Sequence, residues 1–213
     1  MEEFMLKRIA VSAGMAAVLF FAVGCANYAA MQSADVMPAG KRQFGGGVTF
    51  TKYQFEFFDS GTEKNIPAVI FWFRQGIIEK LEAHASFWVP LGFSAGAKYQ
   101  LLGYGNESGF DMSLGFDGGY LKITSGELKT NIVDFYVPVY LGADINKFTG
   151  LYLIPKYIGR IIIGENSRSF GNTTTGTLGI KTGSRFNFLL EGTYGYDFDS
   201  EKPFINAGIG FGF

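Results

Sequence analysis

The stretch "LEAHASFWVPLGFSAGAKYQLL", residues 81–102, decides the fold. Before its central turn the even positions read Glu82, His84, Ser86 and Trp88; after it they read Ser94, Gly96, Lys98 and Gln100. The odd positions read Ala83, Ala85, Phe87 and Val89, then Phe93, Ala95, Ala97, Tyr99 and Leu101. Side chains of a strand point alternately to its two faces, so a period of two marks a strand with one polar and one apolar side. Pro90-Leu91-Gly92 supplies a three-residue loop, with Pro suited to a turn's first position and Gly to a left-handed last one. An odd loop keeps both faces in register, and this one sets Lys98 opposite His84 and diagonal to Glu82. The stretch reads as a β-hairpin.

The same pattern spreads outward from this hairpin. A Thr182–Ser184 loop pairs Lys181 with Arg185 and Ile180 with Phe186. Phe110, Met112, Leu114 and Phe116 alternate with Asp111, Ser113, Gly115 and Asp117. Ten strands are expected, over 43–57, 66–75, 79–89, 93–102, 109–121, 131–144, 149–159, 173–181, 185–198 and 203–213. Turn chemistry separates them, as in "DSGTEKN", "TSGELKTN" and "DSEK". The chain has 30 Gly, 23 Phe and 11 Tyr, and helical periodicity is poor after Gly40. The expectation is all-β: a closed antiparallel up-and-down barrel of ten strands over 42–213, preceded by a helical signal segment. Strand seven, "LYLIPKYIGRIIIG", alternates poorly, and Pro155 removes a ladder donor where a barrel has no free edge; a bulge there, or a count of eight strands, is the alternative.

A period of two leaves open which face points inward. A soluble lipocalin-like barrel hides the apolar face, whereas a membrane barrel turns it to lipid. Charged residues recur on the polar face (Glu82, Lys98, Asp111, Asp117, Asp134, Asp144, Arg185, Glu191). The C-terminal "PFINAGIGFGF" puts Ile205, Ala207, Ile209, Phe211 and Phe213 on one face. Its alternation and terminal Phe resemble the assembly signal of bacterial outer-membrane barrels, which marks Phe211 and Phe213 and implies a barrel-assembly machinery as partner. On the membrane reading, Trp72, Trp88 and the tyrosines form interfacial girdles; in a soluble barrel they are core aromatics.

The N-terminus carries a second message. Lys7 and Arg8 precede an apolar run from Ile9 to Gly24, too short for a bilayer-spanning helix but suited to a signal peptide, residues 1–24. Glu2 and Glu3 sit oddly in such a leader and make Met5 an alternative start. Ala22-Val23-Gly24-Cys25 resembles the lipobox of bacterial lipoproteins, in which a peptidase cuts before the Cys and that residue is acylated. The resemblance implies lipid attachment at Cys25, the single cysteine, and a lipoprotein-sorting machinery as partner. An unpaired thiol in an exported chain is otherwise a reactive liability. Residues 25–41, with Pro38-Ala39-Gly40, read as a lipidated tether. "FSAGAKYQLLG" and "MQSADVMPAGKRQFGGGV" also resemble small outer-membrane β-barrel lipoproteins, a likeness that names no activity. An even strand count leaves both ends in the periplasm, where the lipid would enter the inner leaflet of the outer membrane.

Charge and constellations narrow the function. The net charge is −1, and removing 1–24 leaves it unchanged, which argues against nucleic-acid binding. No Cys/His cluster calls for a metal, and no cofactor is expected. Glu82-x-His84-x-Ser86 resembles the His-x-Ser pair and glutamate of outer-membrane lipid A deacylases, since a base, a nucleophile and a carboxylate serve acyl transfer. It departs from that family in lying on strand three and in facing away from Ala83 and Ala85, the side expected toward lipid. The favoured reading is an interior polar network of Glu82, His84 and Lys98. Gly45-Gly46-Gly47 lacks the Lys-Ser pair of a phosphate loop and reads as relief of crowding. Asp111, Asp117, Asp134 and Asp144 come singly from different strands, so they read as ion-paired or solvated lumen charge and not as a cation site. The chain is thus expected to be a lipid-anchored outer-membrane barrel with a structural or interaction role. A solute channel or ligand-binding barrel is the alternative, followed by a lipid A-modifying enzyme and a soluble periplasmic barrel.

Overall fold

The computed structural model of the chain describes residues 28–54, 63–89, 92–103, 109–125, 128–164, 167–183 and 186–213. The expected signal segment, Cys25, Pro90-Leu91 and Arg185 lie outside the described residues. Ten strands follow in chain order: β1 (Arg42–Gln54), β2 (Glu63–Ile78), β3 (Leu81–Val89), β4 (Gly92–Leu102), β5 (Phe110–Ser125), β6 (Leu128–Asn146), β7 (Thr149–Ile163), β8 (Arg168–Thr182), β9 (Asn187–Asp197) and β10 (Lys202–Gly212). Each pairs antiparallel with its sequence neighbours, and β1 pairs with β10, so the sheet closes into an up-and-down barrel. The closing seam ends on a reciprocal rung, Phe44 N–H to Phe213 O at 2.9 Å and Phe213 N–H to Phe44 O at 2.8 Å. We call the end holding Arg42, Gly212 and the β2–β3 turn the near mouth. The end holding Gln54, Ile163 and Lys202 is the far mouth.

Alternation sorts every strand the same way. In β10, Ile205, Ile209, Phe211 and Phe213 are exposed while Phe204, Asn206, Gly208, Gly210 and Gly212 are buried. In β3, Glu82, His84 and Trp88 are buried, and Phe87 and Val89 are exposed. The apolar face thus looks outward and the polar, glycine-rich face looks inward. Strand seven keeps this order despite Pro155. Its pairing with β6 runs from Asn131↔Ile163 through Pro138↔Lys156 and resumes at Leu141↔Leu153 in the same register. The missing donor interrupts rungs locally without a bulge, and β7 pairs with β8 continuously through Pro155↔Gly176.

Register departs from the sequence reading at both hairpins. Trp88 pairs with Gly92 and Glu82 with Lys98, a slip of two residues from the expected pairing, which leaves each side chain on its expected face. The indole of Trp88 lies over Gly92, where any Cβ would collide with it; that fit, with the Ser86–Ser94 hydroxyl contact of 2.7 Å, selects the register. Lys181 pairs with Leu189, four residues beyond the expected Arg185. There the longer loop turns at Gly183 (φ 109), whose N–H reaches back to Phe148 O at 2.7 Å. A left-handed φ of this kind favours glycine. Trp72 and Trp88 also correct an expectation. Both point into the lumen, at 4% and 2% exposure, instead of forming a girdle outside. Bulky rings opposite glycines, Trp72 over Gly45 and Trp88 over Gly92, fill a barrel of this size.

The interior holds a further piece of chain. Residues 28–37 of the expected tether lie inside the barrel: Tyr28, Ala29, Met31, Gln32, Ser33, Ala34 and Val36 are all buried. Pro38–Lys41 are exposed at the near mouth, where Ala39 bridges Gly76 and Gly40 N–H donates to Gly76 O at 2.9 Å.

Candidate functional site

The lumen is where this fold gathers its polar chemistry, and residues 28–37 are its occupant. Because the backbone N–H and C=O groups of a closed barrel are taken up by its own ladder, a segment running inside the wall has to satisfy its backbone through side chains. Wall side chains reach it at residues 28, 30 and 33–37. Ala30 N–H donates to Glu191 Oε2 at 2.9 Å, Val36 N–H to Gln100 Oε1 at 3.2 Å and Met37 N–H to Glu82 Oε2 at 2.8 Å. In return, Tyr28 O accepts from Lys156 Nζ at 3.0 Å, Ser33 O from Lys98 Nζ at 3.0 Å and Ala34 O from Ser113 Oγ at 2.6 Å. Asp35 O accepts from both Lys98 Nζ at 2.8 Å and Arg74 Nη2 at 2.7 Å. These donors and acceptors come from β2, β3, β4, β5, β7 and β9. The side chains of the segment add shape. Met31, fully buried and in a left-handed backbone conformation (φ 48), packs where Gly208 and Gly210 leave room. Tyr28 stacks on Phe204 with ring centroids 4.1 Å apart.

Glu82, His84 and Lys98 are brought together near one end of this segment. Arg74 completes the group. Its guanidinium meets Glu82 twice, Nε to Oε1 and Nη2 to Oε2, both at 2.8 Å. A planar fork on a carboxylate is among the strongest ion-pair geometries. Lys98 Nζ stands 3.6 Å from Glu82 Oε1 and lies over the Tyr140 ring. His84 Nε2 contacts Asp117 Oδ1 at 2.7 Å, with Nδ1 3.8 Å from Glu82. Ser86, the hydroxyl of the deacylase-like pattern, is engaged with Ser94 Oγ at 2.7 Å. Base and hydroxyl are each turned to another partner, and both face the lumen.

Asp111, Asp134 and Glu191 are also engaged, while Asp144 is exposed at the near mouth. Asp111 accepts from Gln100 Nε2 at 2.8 Å. Asp134 takes Arg160 Nε at 2.7 Å and Nη2 at 3.0 Å, and Tyr136 Oη donates to it at 3.0 Å. Glu191 takes Tyr152 Oη at 2.8 Å. Among the described residues no three His, Cys, Asp or Glu side chains gather as metal ligands. Gly45 lies beneath Trp72, and Gly47 lies against the backbone of Ile209 and Gly210, so both mark close approach. Phe211 and Phe213 face outward, and Phe213 forms the last rung of the seam. Sequence reasoning missed Arg74, Lys156 and Arg160. A signal for Arg74 existed, since it shares the inward face with Ile70 and Trp72 in "IFWFR". At the near mouth the filled lumen opens into a cavity of about 760 Å³, lined by Asp35, Arg42, Arg74, Asp144, Lys147 and Lys181 among others.

No family model and no curated protein matches the sequence. Solved structures resembling it include Neisserial surface protein A, with 11% identity and a TM-score of 0.39 over 80% of this chain and 94% of that one. Ail, the attachment invasion locus protein of Yersinia pestis, has 10% identity and a TM-score of 0.36 over 82% and 99%. The translocator domain of the autotransporter NalP from Neisseria meningitidis has 11% identity and a TM-score of 0.45 over 84% and 90%. At such values the likeness adds nothing to the fold that the strand ladder itself establishes, and no function follows from it.

Proposed function

We propose that the chain is a lipid-anchored outer-membrane β-barrel with a structural or interaction role, its lumen closed by its own N-terminal segment. The observation that carries this reading is the polarity of the wall. Phe44, Val48 and Phe50 on β1, Leu151, Leu153 and Tyr157 on β7, and Ile205, Ile209 and Phe211 on β10 are exposed, with comparable apolar residues on every strand between. A belt of this extent is costly in water, where large contiguous apolar patches are rare, and suits hydrocarbon. Closure leaves no sheet edge, which is the condition for strands to cross a bilayer. A wide pore is disfavoured because Arg74, Glu82, Lys98 and the buried segment fill the bore. The engagement of Ser86 with Ser94 and of His84 with Asp117 supports a structural role for the Glu82/His84/Ser86 cluster over lipid A chemistry. Outer-membrane lipids are the partners of the belt. The barrel-assembly machinery would read the strand ending in Phe211 and Phe213, and the lipoprotein-sorting machinery would read acylated Cys25.

The near-mouth cavity favours a second reading, a ligand-binding barrel, because charged side chains of both signs line it. Planar-bilayer recordings separate the two from transport. The proposed protein gives a heat-modifiable band in outer-membrane fractions and no unitary conductance once reconstituted. Stepwise conductance at native pH overturns the closed-barrel role, and recovery in the soluble fraction after Cys25→Ala overturns the membrane reading.

A further inference from the structure

The segment enters at one mouth and ends near the other. Ala39 and Gly40 are tied to Gly76, two residues from the near end of β2. Tyr28, eleven positions earlier, stacks on Phe204, two residues from the far end of β10, and its hydroxyl meets Arg160, three residues from the far end of β7. Between them the contacts of residues 37, 35, 34, 30 and 28 run from Glu82, one residue from the near end of β3, through Lys98, Ser113 and Glu191 to Lys156 at the middle of β7. We infer that the N-terminal segment is a transmembrane thread: the chain ahead of Tyr28 leaves by the far mouth, on the opposite side of the membrane from the strand-ending Phe213.

The inference rests on the outer-membrane barrel reading and changes one of its consequences. Three residues separate Cys25 from Tyr28, and extended chain spans no more than about 3.6 Å per residue, so the cysteine lies within roughly 11 Å of Tyr28. With Tyr28 seated, ten residues of occupied lumen stand between Cys25 and the near mouth. A lipid on Cys25 therefore belongs to the leaflet at the far mouth, not to the leaflet beside the C-terminus. What holds the thread is mostly backbone recognition, with carbonyls of residues 28, 33, 34 and 35 and N–H groups of residues 30, 36 and 37 all bound by wall side chains. Such contacts fix depth and direction together.

The test works whichever mouth faces outward. One epitope is placed in three variants of the full chain: between Ala26 and Asn27, in the near-mouth turn at Lys147, and in the far-mouth turn at Ser200. Antibody binding and protease access are then compared on intact cells and on cells with a permeabilised outer membrane. The expected result is that the tag after Ala26 shares the accessibility of the Ser200 tag and opposes that of the Lys147 tag. If it sides with Lys147, the thread is wrong. If the Lys147 and Ser200 tags themselves share a side, the barrel does not span and the membrane reading fails separately. A second measurement covers a tagged variant that fails to assemble: Tyr28→p-benzoylphenylalanine, irradiated in cells. Coupling to the peptide holding Phe204 or Arg160 supports the thread, and coupling confined to near-mouth peptides or to other proteins overturns it.

Discussion

Replacing Glu82 with Gln keeps the shape of the side chain and removes one charge from a fully buried position. Two cations depend on that charge. Arg74 makes its two charge-assisted contacts there, and Lys98 lies 3.6 Å away. Stranding a buried charge by removing its partner costs about 3–5 kcal/mol. Arg74 borders the near-mouth cavity, where water relieves part of the penalty, so the lower end of that range applies. A loss of about 3 kcal/mol lowers the folding equilibrium by roughly two decades. With its oxygen in the Oε2 place the amide still accepts from Met37 N–H, so the thread's backbone contact survives, while its NH2 replaces the acceptor of Arg74 Nε and the charge is lost. Urea unfolding of the protein refolded in lipid vesicles, followed by the fluorescence of buried Trp72 and Trp88, measures the shift. Glu79→Gln, in the exposed near-mouth turn, is the control and should move stability by less than about 0.5 kcal/mol. Adding Lys98→Met to Glu82→Gln removes one stranded charge and should recover part of the loss, a coupling that separate effects would not produce. A Glu82→Gln protein as stable as its parent would refute the reasoning, because it would mean the cluster is hydrated and not a paired interior network.

Ile209→Arg places a charge on the outward face of the closing strand, between Val48 and Leu190, at a cost of about 2–4 kcal/mol if that face meets mid-bilayer lipid. Heat-modifiable mobility in outer-membrane fractions should be lost, whereas a water-exposed face would tolerate the change. Deleting Phe213 removes the reciprocal rung with Phe44, and the folded band should fall in the same assay. Labelled palmitate should enter the wild type and not Cys25→Ala, and equal labelling would remove the lipid anchor from the reading. His84→Ala and Ser86→Ala should each leave the lipid A acylation profile of the cell unchanged, and a shift in either would reveal an active site.

All ten strands, and the division of their residues between two faces, were legible because alternation is a local property. Phe110 to Phe116 separates an apolar from a polar face without reference to any partner, whereas which of the two looks outward is settled by the closed wall. Register is not local. The slip of two at β3–β4 follows from how the Trp88 ring meets Gly92, and the slip of four at β8–β9 follows from a bond between Gly183 and the distant Phe148. Period-two counting is blind to both, since even shifts preserve each face. Pro155 looked disruptive for a related reason, for the cost of a missing rung depends on neighbours that hold the strand on either side. The interior segment was least legible. "YAAMQSADVMP" has no period because its partners sit on six strands at different depths, so each position answers to a different environment. Arg74, Lys156 and Arg160 were overlooked for the same cause: what calls for a cation inside the wall is a carbonyl or carboxylate far away in sequence.

The buried segment also bears on how the wall comes together. Its rungs to the rest of the chain are as long-range as the seam itself: Ala30 and Glu191 are 161 residues apart, Lys156 and Tyr28 are 128 apart. Contacts between distant residues carry a heavy loop-closure cost, and folding slows as they come to dominate. Residues 28–38 precede every strand in the chain, so each strand can meet them as it forms. Once Met37 is held by Glu82 on β3 and Ala30 by Glu191 on β9, two strands from opposite halves of the sequence are joined through residues only seven positions apart. The search that remains for β1 and β10 is then confined to a partly wrapped cylinder. The segment would act as a mandrel on which the sheet is rolled, and shortening it should slow closure more than it weakens the finished barrel.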